Sequence, residues 1–147
     1  MTRAFFILAG LCGCIFVAVF TVQRRLVFPT HHLPPVPSHA RLPANAEQIW
    51  VEHGQVRVES WFLPGQGVSV VKPGPLVIFF HGNAEVIDEL PQQFTRYTDM
   101  GISVALMEYR GYGRSNGSPS QKALSEDAAE LYRRLIKRPD VRSERVF

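Results

Sequence analysis

An uncharged apolar stretch near the N-terminus constrains this chain more than any other feature of its sequence. Residues 4–22 read AFFILAGLCGCIFVAVFTV, and Arg3, Arg24 and Arg25 flank them. As a helix rising 1.5 Å per residue, the stretch spans roughly 28 Å, close to the thickness of the hydrocarbon core of a bilayer. The sequence therefore predicts an uncleaved membrane anchor over residues 1–25.

Two other interpretations of this stretch stay open. A signal peptide has a shorter apolar region followed by small residues at the cleavage site, whereas residues 15–20 are still apolar. Residues 11–14, LCGC, loosely resemble the cleavage box of a bacterial lipoprotein, with Cys12 where Ala or Ser is usual and Cys14 at the lipidation position. A buried helix of a soluble domain is the other alternative.

The flanking charges bear on orientation. Arg24 and Arg25 slightly favour a cytoplasmic location for the C-terminal side, and the side of the membrane stays open. Both cysteines lie in the apolar stretch, so the rest of the chain does not indicate a redox compartment. We expect a single-pass N-terminal anchor in a membrane, with a bacterial inner membrane as the expected location.

The composition is that of a globular domain. The 147 residues are 46% hydrophobic and 20% charged, which excludes a disordered tail, a collagen-like repeat and a disulfide scaffold. The net charge is +3, but without the three flanking arginines 13 basic residues face 13 acidic ones. A neutral domain lacks the basic face of a nucleic-acid binder, so no nucleic-acid partner is expected.

Residues 26–45 are rich in proline and predict an extended linker rather than a helix or strand. His31 and His32 lie in this segment, but no third ligand follows at the spacing of a metal site. We interpret them as a solvated pair and expect neither a metal nor a cofactor. The remaining residues, 46–147, form the predicted domain.

Strand patterns predict a mixed sheet in this domain. Residues 49–51 and 56–62 alternate in polarity around Gly54 and Gln55, which indicates an antiparallel hairpin. Residues 76–80, LVIFF, are a continuous apolar run typical of a strand buried on both faces, and residues 102–107 form a second such strand. Residues 145–147 open another strand.

Helices are predicted between these strands. The stretch from the turn of residues 81–83 to Met100 has a helical pattern, with Pro91 in the first turn and Gly101 as the stop. A second helix follows Ser118, the predicted N-cap, and Pro119, and its apolar face carries Leu124, Ala128, Leu131 and Leu135. Strand, helix, strand, helix, strand predicts an α/β fold with parallel strands behind the hairpin.

Three segments resemble a known family. PLVIFFHGNAE (residues 75–85), VALMEYRGYGRSNGSPS (104–120) and DAAELYRRL (127–135) resemble the first half of an α/β hydrolase. The branch that they resemble contains serine aminopeptidases and lysophospholipase-like esterases, and some members are membrane-anchored and similar to acyl-protein thioesterases. The resemblance covers residues 51–147 and implies a serine hydrolase that acts, when complete, on ester or thioester acyl groups. The lipid bilayer is expected as a second partner, through the N-terminal anchor.

The resemblance also implies part of the active site. In this family one backbone N–H of the oxyanion hole comes from the loop after the third strand. That donor would be Asn83, with Ala84 as the alternative, while His81 and Gly82 shape the turn. The other interpretation is an ordinary strand-to-helix turn in which His81 bonds to the backbone.

The catalytic triad is not expected in this chain. The family order is Ser, Asp or Glu, then His, with the serine after the fifth strand, so the nucleophile, acid and base would lie beyond Phe147. The chain alone is then inactive, and the alternative is a non-catalytic truncated product or a membrane-tethered binding module.

Other polar residues are assigned lesser roles. Ser115 lies in a literal G-x-S-x-G, residues 113–117, but the preceding strand ends too early and the next helix starts too late for a nucleophile elbow. Glu108, Tyr109 and Arg110 are expected to shape the loop near the active site. The carboxylates after the turn, Glu85, Asp88 and Glu89, are interpreted as charges of a first helical turn.

Overall fold

The computed structural model describes residues 2–147, and its first element is the helix α1, Thr2–Val27. Within the described residues, one helix is long and apolar enough to cross a membrane, over the window Gly10–Val27. None of that window is buried against the rest of the chain. Length and composition alone support a membrane span here, and an N-terminal signal sequence would pass the same test.

The proline-rich segment after α1 packs against the domain instead of extending freely from it. It contains a 3₁₀ turn, Thr30–His32, in which both histidines are exposed. Ala40, Leu42 and Ala46 then pack against a buried apolar cluster that includes Trp61 and Phe94. Apolar side chains between the prolines therefore dock this segment on the sheet.

The domain is built on a five-stranded mixed sheet in the order β1-β2-β4-β3-β5. Its strands are β1 Glu47–His53, β2 Val56–Leu63, β3 Gly74–Phe80, β4 Ser103–Met107 and β5 Val141–Val146. β1 and β2 are antiparallel around Gly54, whose φ is +62°, and β2 is antiparallel to β4. β3 lies parallel to both β4 and β5, so the predicted hairpin and α/β architecture are confirmed.

Two apolar layers cover the faces of this sheet. On one face α3, Gln121–Leu135, packs Leu131 and Leu135 against Leu76 and Met107. On the other face, side chains from residues 87–94 pack against Trp61 and Leu106. The crossover from β3 to β4 and the crossover from β4 to β5, which contains α3, thus lie on opposite faces, as expected for right-handed connections that run in opposite directions across the sheet.

The helix expected between the turn of residues 81–83 and Met100 forms only in pieces. The structure has 3₁₀ turns at Ile87–Glu89 and Pro91–Phe94, followed by the short α2, Thr95–Asp99. Proline lacks the N–H that a continuous helix needs and clashes with the preceding turn, so Pro91 starts a new turn. Gly101 follows with φ +78°, which agrees with its predicted role as a stop.

The predicted N-cap of α3 is wrong by two residues. Ser120, rather than Ser118, caps the helix, since its Oγ accepts a hydrogen bond of 3.1 Å from the N–H of Ala123. Pro119 is buried beside Gly111, and the chain stays extended through Ser120. The proline therefore precedes the helix instead of occupying its first turn.

The strand expectations need two further corrections. β4 is buried throughout, but in β3 Leu76 is buried while Val77, Ile78 and Phe79 are half-buried and Phe80 is exposed. The next strand in the sheet, β5, is an edge strand with an exposed polar run at residues 142–145. β5 also begins at Val141, four residues before the predicted start, because the turn after α3 leads directly into pairing with Gly74.

Candidate active site

The turn of residues 81–84 leaves the carboxyl end of β3. Glu85 holds it, because its Oε2 accepts a hydrogen bond of 2.7 Å from the N–H of Gly82. Ala84 has φ +61°, a left-handed conformation that costs a non-glycine residue about 1–2 kcal/mol. Asn83 and Ala84 are exposed residues, and within residues 2–147 their backbone N–H groups donate to no acceptor, so both groups can bind a ligand.

His81 connects this turn to the neighbouring loop. Its ring is buried, with Nε2 2.6 Å from Oε1 of Glu108 and Nδ1 2.9 Å from the carbonyl oxygen of Gly82. Both ring nitrogens therefore face oxygen atoms. His81 does more than bond to the backbone, which was the alternative interpretation, since it links the ends of β3 and β4.

Glu108 is the centre of a buried hydrogen-bond network at the end of β4. Besides His81, its carboxylate accepts the N–H groups of Ile87 and Tyr109, each at 3.2 Å. Because Gly113 has no side chain, there is room beside it for the carboxylate of Glu108. A Cβ on Gly113 would lie 2.6 Å from Oε2 of Glu108. Glu108 thus organises three segments around the turn, which agrees with its expected role in loop shape.

Two tyrosines complete the environment of His81. The hydroxyl of Tyr109 donates to the carbonyl oxygen of His81 at 2.7 Å. Burial, reinforced by the charge of Glu108, raises the pKa of Tyr109 to about 12, and the same causes raise the pKa of Tyr112. The Tyr112 hydroxyl is buried and has no hydrogen-bond partner in the part of the chain that the structure describes.

Arg114 ties the loop after β4 to three other segments. Its guanidinium donates to Glu59 at 2.7 Å, to Asp88 at 2.8 Å and to the carbonyl oxygen of Pro37 at 3.1 Å. Burial opposes the charge of Arg114, but the hydrogen bonds to Asp88 and Glu59 outweigh it and raise the pKa of the guanidinium. Asp88 therefore serves as an ion-pair partner and not only as the charge of a first turn.

Sequence reasoning missed both Glu59 and a second buried carboxylate, Asp127. Asp127 lies on the inner face of α3 and accepts two hydrogen bonds from Arg110, at 2.6 and 2.7 Å. These bonds raise the pKa of Arg110, and His53 Nε2 lies 3.1 Å from the same carboxylate. A signal was present, since Asp127 falls four residues before Leu131 on the apolar face.

Ser115 lies in the loop, away from the position of a nucleophile elbow. β4 ends at Met107 and α3 begins at Gln121, so no strand leads into Ser115 and no helix starts from it. The buried Oγ accepts a hydrogen bond of 3.0 Å from the N–H of Glu59.

The remaining candidate carboxylate, Glu89, is exposed. No cluster of three metal-ligating side chains occurs among residues 2–147.

The strand order and the two loops at the carboxyl ends of β3 and β4 define an α/β-hydrolase fold. The crystal structure of the α/β hydrolase GrgF from Penicillium aligns with 71% of this chain and 36% of its own, with a TM-score of 0.57 and 21% identity. The chain therefore has the α/β-hydrolase fold, as its sequence predicts.

Proteins of similar sequence include the following two. An uncharacterized protein of Mycobacterium tuberculosis is 30% identical over 142 residues, which are 95% of this chain and 49% of that protein. The alpha/beta hydrolase domain-containing protein WAV2 of Arabidopsis thaliana is 31% identical over 109 residues, 73% of this chain and 34% of that protein. No family model matches. The chain spans about half the length, or less, of these relatives.

Proposed function

We propose that this chain supplies the oxyanion-binding part of a membrane-anchored serine hydrolase that cleaves ester or thioester bonds of acyl groups. The observation that supports it is the pair of unpartnered backbone N–H groups, on Asn83 and Ala84, in a braced turn at the carboxyl end of β3. The α/β-hydrolase fold and the apolar α1 support the class of enzyme and the anchor.

The chemistry follows from where charge develops during the reaction. Attack on the acyl carbon moves negative charge to the carbonyl oxygen, and preorganised N–H donors stabilise that oxygen in the transition state. The bracing by Glu85, His81 and Glu108 keeps such donors oriented before the substrate arrives. In this proposal the nucleophile, acid and base follow Phe147. Ser115 is not the nucleophile, because its Oγ accepts a hydrogen bond from the N–H of Glu59.

The proposal is tested on the protein translated from a reading frame that extends beyond Phe147. Its hydrolysis of p-nitrophenyl acyl esters and of an acyl thioester is measured, and a fluorophosphonate label is mapped by mass spectrometry. We expect turnover, with the label on a serine that follows Phe147. A label on Ser115 would contradict the assignment of the nucleophile, and a complete protein with neither turnover nor label would favour a binding module.

The oxyanion assignment is tested separately with two variants at one position. Asn83→Pro removes the N–H, whereas Asn83→Ala removes only the side chain and so controls for its loss. Removing one oxyanion donor typically costs on the order of 10²–10³ in kcat. We expect the proline variant to lose about that factor relative to the alanine variant, with KM changed much less. Equal kcat in the two variants would exclude the Asn83 N–H as a donor.

A further inference from the structure

Both candidate-site loops leave the same edge of the sheet. In the parallel pair β3 and β4, Phe80 is aligned with Met107, so the turn of residues 81–84 and the loop of residues 108–120 start side by side. Tyr109 joins them by donating to the carbonyl oxygen of His81. We call this side of the domain the carboxyl edge.

The end of α1 meets the carboxyl edge. Thr30 is three residues after Val27, and its Cγ2 lies 3.7 Å from the position that a Cβ on Gly111 would take. Gln23, Val27 and Phe28 line one cavity together with Ser120 and Gln121 at the start of α3. The helix therefore ends against the loop that also carries Tyr109.

Little chain separates the apolar helix from the domain. The apolar window ends at Val27, and the 3₁₀ turn that contacts the carboxyl edge begins at Thr30. Further along, Arg114 holds the carbonyl oxygen of Pro37 at 3.1 Å while paired with Glu59 and Asp88. A docked connection of this kind restricts how far the domain can turn away from the end of its helix.

The opposite edge lies a strand length away. The loop of residues 64–73 leads into Gly74 at the amino end of β3, and its Val71 is 94% exposed. Seven strand residues at about 3.3 Å each separate the two edges by roughly 20 Å. A bilayer against the carboxyl edge would therefore be close to Asn83 and far from Val71.

We infer that the carboxyl edge faces the lipid bilayer, so that the candidate site receives acyl esters or thioesters whose chains are held in that bilayer. The inference rests on the membrane anchor and the hydrolase activity of the proposed function, and it adds the direction from which the substrate arrives. Two observations carry it: Thr30 lies beside Gly111 directly after the apolar helix, and Val27 and Phe28 share a cavity with the start of α3.

The orientation of the domain on the bilayer is tested by quenching of an attached fluorophore. In the full chain with Cys12→Ser and Cys14→Ser, a fluorophore is attached through Asn83→Cys or, as the matched control, through Val71→Cys. The proteins are reconstituted in phosphatidylcholine and phosphatidylglycerol vesicles with a nitroxide on the lipid headgroup. We expect severalfold stronger quenching at residue 83. If the protein floats with the vesicles but residue 83 is quenched no more than residue 71, the inference about orientation is overturned and the anchor is not. If the protein does not float with the vesicles, the anchor is overturned as well.

Access to substrate is tested with a Gly/Ser spacer inserted between Val27 and Phe28 in the protein extended beyond Phe147. Lifting the edge off the bilayer is expected to lower the rate on a long-chain ester held in vesicles severalfold, while the rate on a soluble short-chain ester stays the same. An unchanged vesicle rate would overturn the inference about substrate access. Failure of the unmodified protein to hydrolyse either ester would instead overturn the proposed activity.

Discussion

The Nε2 atom of His81 lies 2.6 Å from the Oε1 atom of Glu108, and the side chains of both residues are fully buried. The two residues directly follow β3 and β4, so this contact fixes the candidate oxyanion turn to the neighbouring loop. Two buried hydrogen-bonding groups at the same edge of the sheet are costly to separate, because removing one leaves the other without its partner.

The first prediction concerns that pair. Glu108→Gln removes the charge that faces His81 and weakens the hydrogen bonds to Ile87 and Tyr109, and we expect the free energy of unfolding to fall by about 3 kcal/mol. Urea unfolding of the full chain in detergent, followed by tryptophan fluorescence, measures the loss. Glu89→Gln is the control, since Glu89 is exposed and its change should stay within about 0.5 kcal/mol. Equal losses would contradict the central role of Glu108.

The second prediction separates crowding from backbone conformation. Gly113 and Gly67 both have positive φ, but a Cβ at Gly113 would lie 2.6 Å from Glu108 Oε2 and a Cβ at Gly67 would meet nothing within 4 Å. Alanine at either position costs about 1–2 kcal/mol for the left-handed conformation. Gly113→Ala should cost about 1–3 kcal/mol more, because it displaces the carboxylate. Denaturant unfolding of the two variants in parallel tests this, and similar losses would show that Glu108 moves freely.

The third prediction concerns the ionisation of Tyr109 at alkaline pH. Tyr109 has a pKa of about 12 in the folded chain against an ordinary value of 10.0. Between these values the folded state keeps a proton that the unfolded state has released, so the unfolding free energy falls as pH rises from 10 to 12. Absorbance titration should detect late tyrosinate formation from both Tyr109 and Tyr112, and Tyr109→Phe should remove the part that forms near pH 12. Tyr132→Phe, at an exposed position, serves as control, and a late absorbance change of the same size in Tyr109→Phe as in the unmodified chain would refute the assignment.

The fourth prediction concerns the anchor. The full chain should stay in the membrane pellet after carbonate washing, because an apolar span of this length partitions strongly into lipid. Val17→Arg, within the apolar window, should lower that fraction, since an arginine at mid-bilayer costs about 2.5–3.5 kcal/mol. Val71→Arg, in the exposed loop, should not. Full-length protein in the wash would refute the span, and a membrane-bound form starting at Cys14 would indicate a lipoprotein.

Local patterns in the sequence predicted much of the fold. The alternation around Gly54 predicted the hairpin, and the apolar run before Glu108 predicted β4, because side-chain period and turn conformation depend on neighbouring residues alone. The helix after β3 was less accurate, since Pro91 divides it into turns. Asn83 and Ala84 as oxyanion donors stay a prediction that the proposed variants test.

Contacts between distant residues were beyond such patterns. Glu59 and Arg114 are 55 positions apart in the sequence. The alternation of β2 places Glu59 on the same face as the exposed Arg57, although Glu59 is buried. Asp127 occupies an apolar helix face because Arg110, 17 positions away, neutralises it there. A buried charge is tolerated only where a partner reaches it, and the partner depends on how the elements pack.

The sequence by itself determined the α/β class, the apolar helix and the turn that follows β3, because each depends on residues close together in the chain. The tertiary structure alone decided that His81 bonds to Glu108, that Arg114 links Glu59 to Asp88, and that the end of α1 lies against the loop at Gly111. Those contacts depend on the order of strands in the sheet, which brings residues far apart in sequence to one edge.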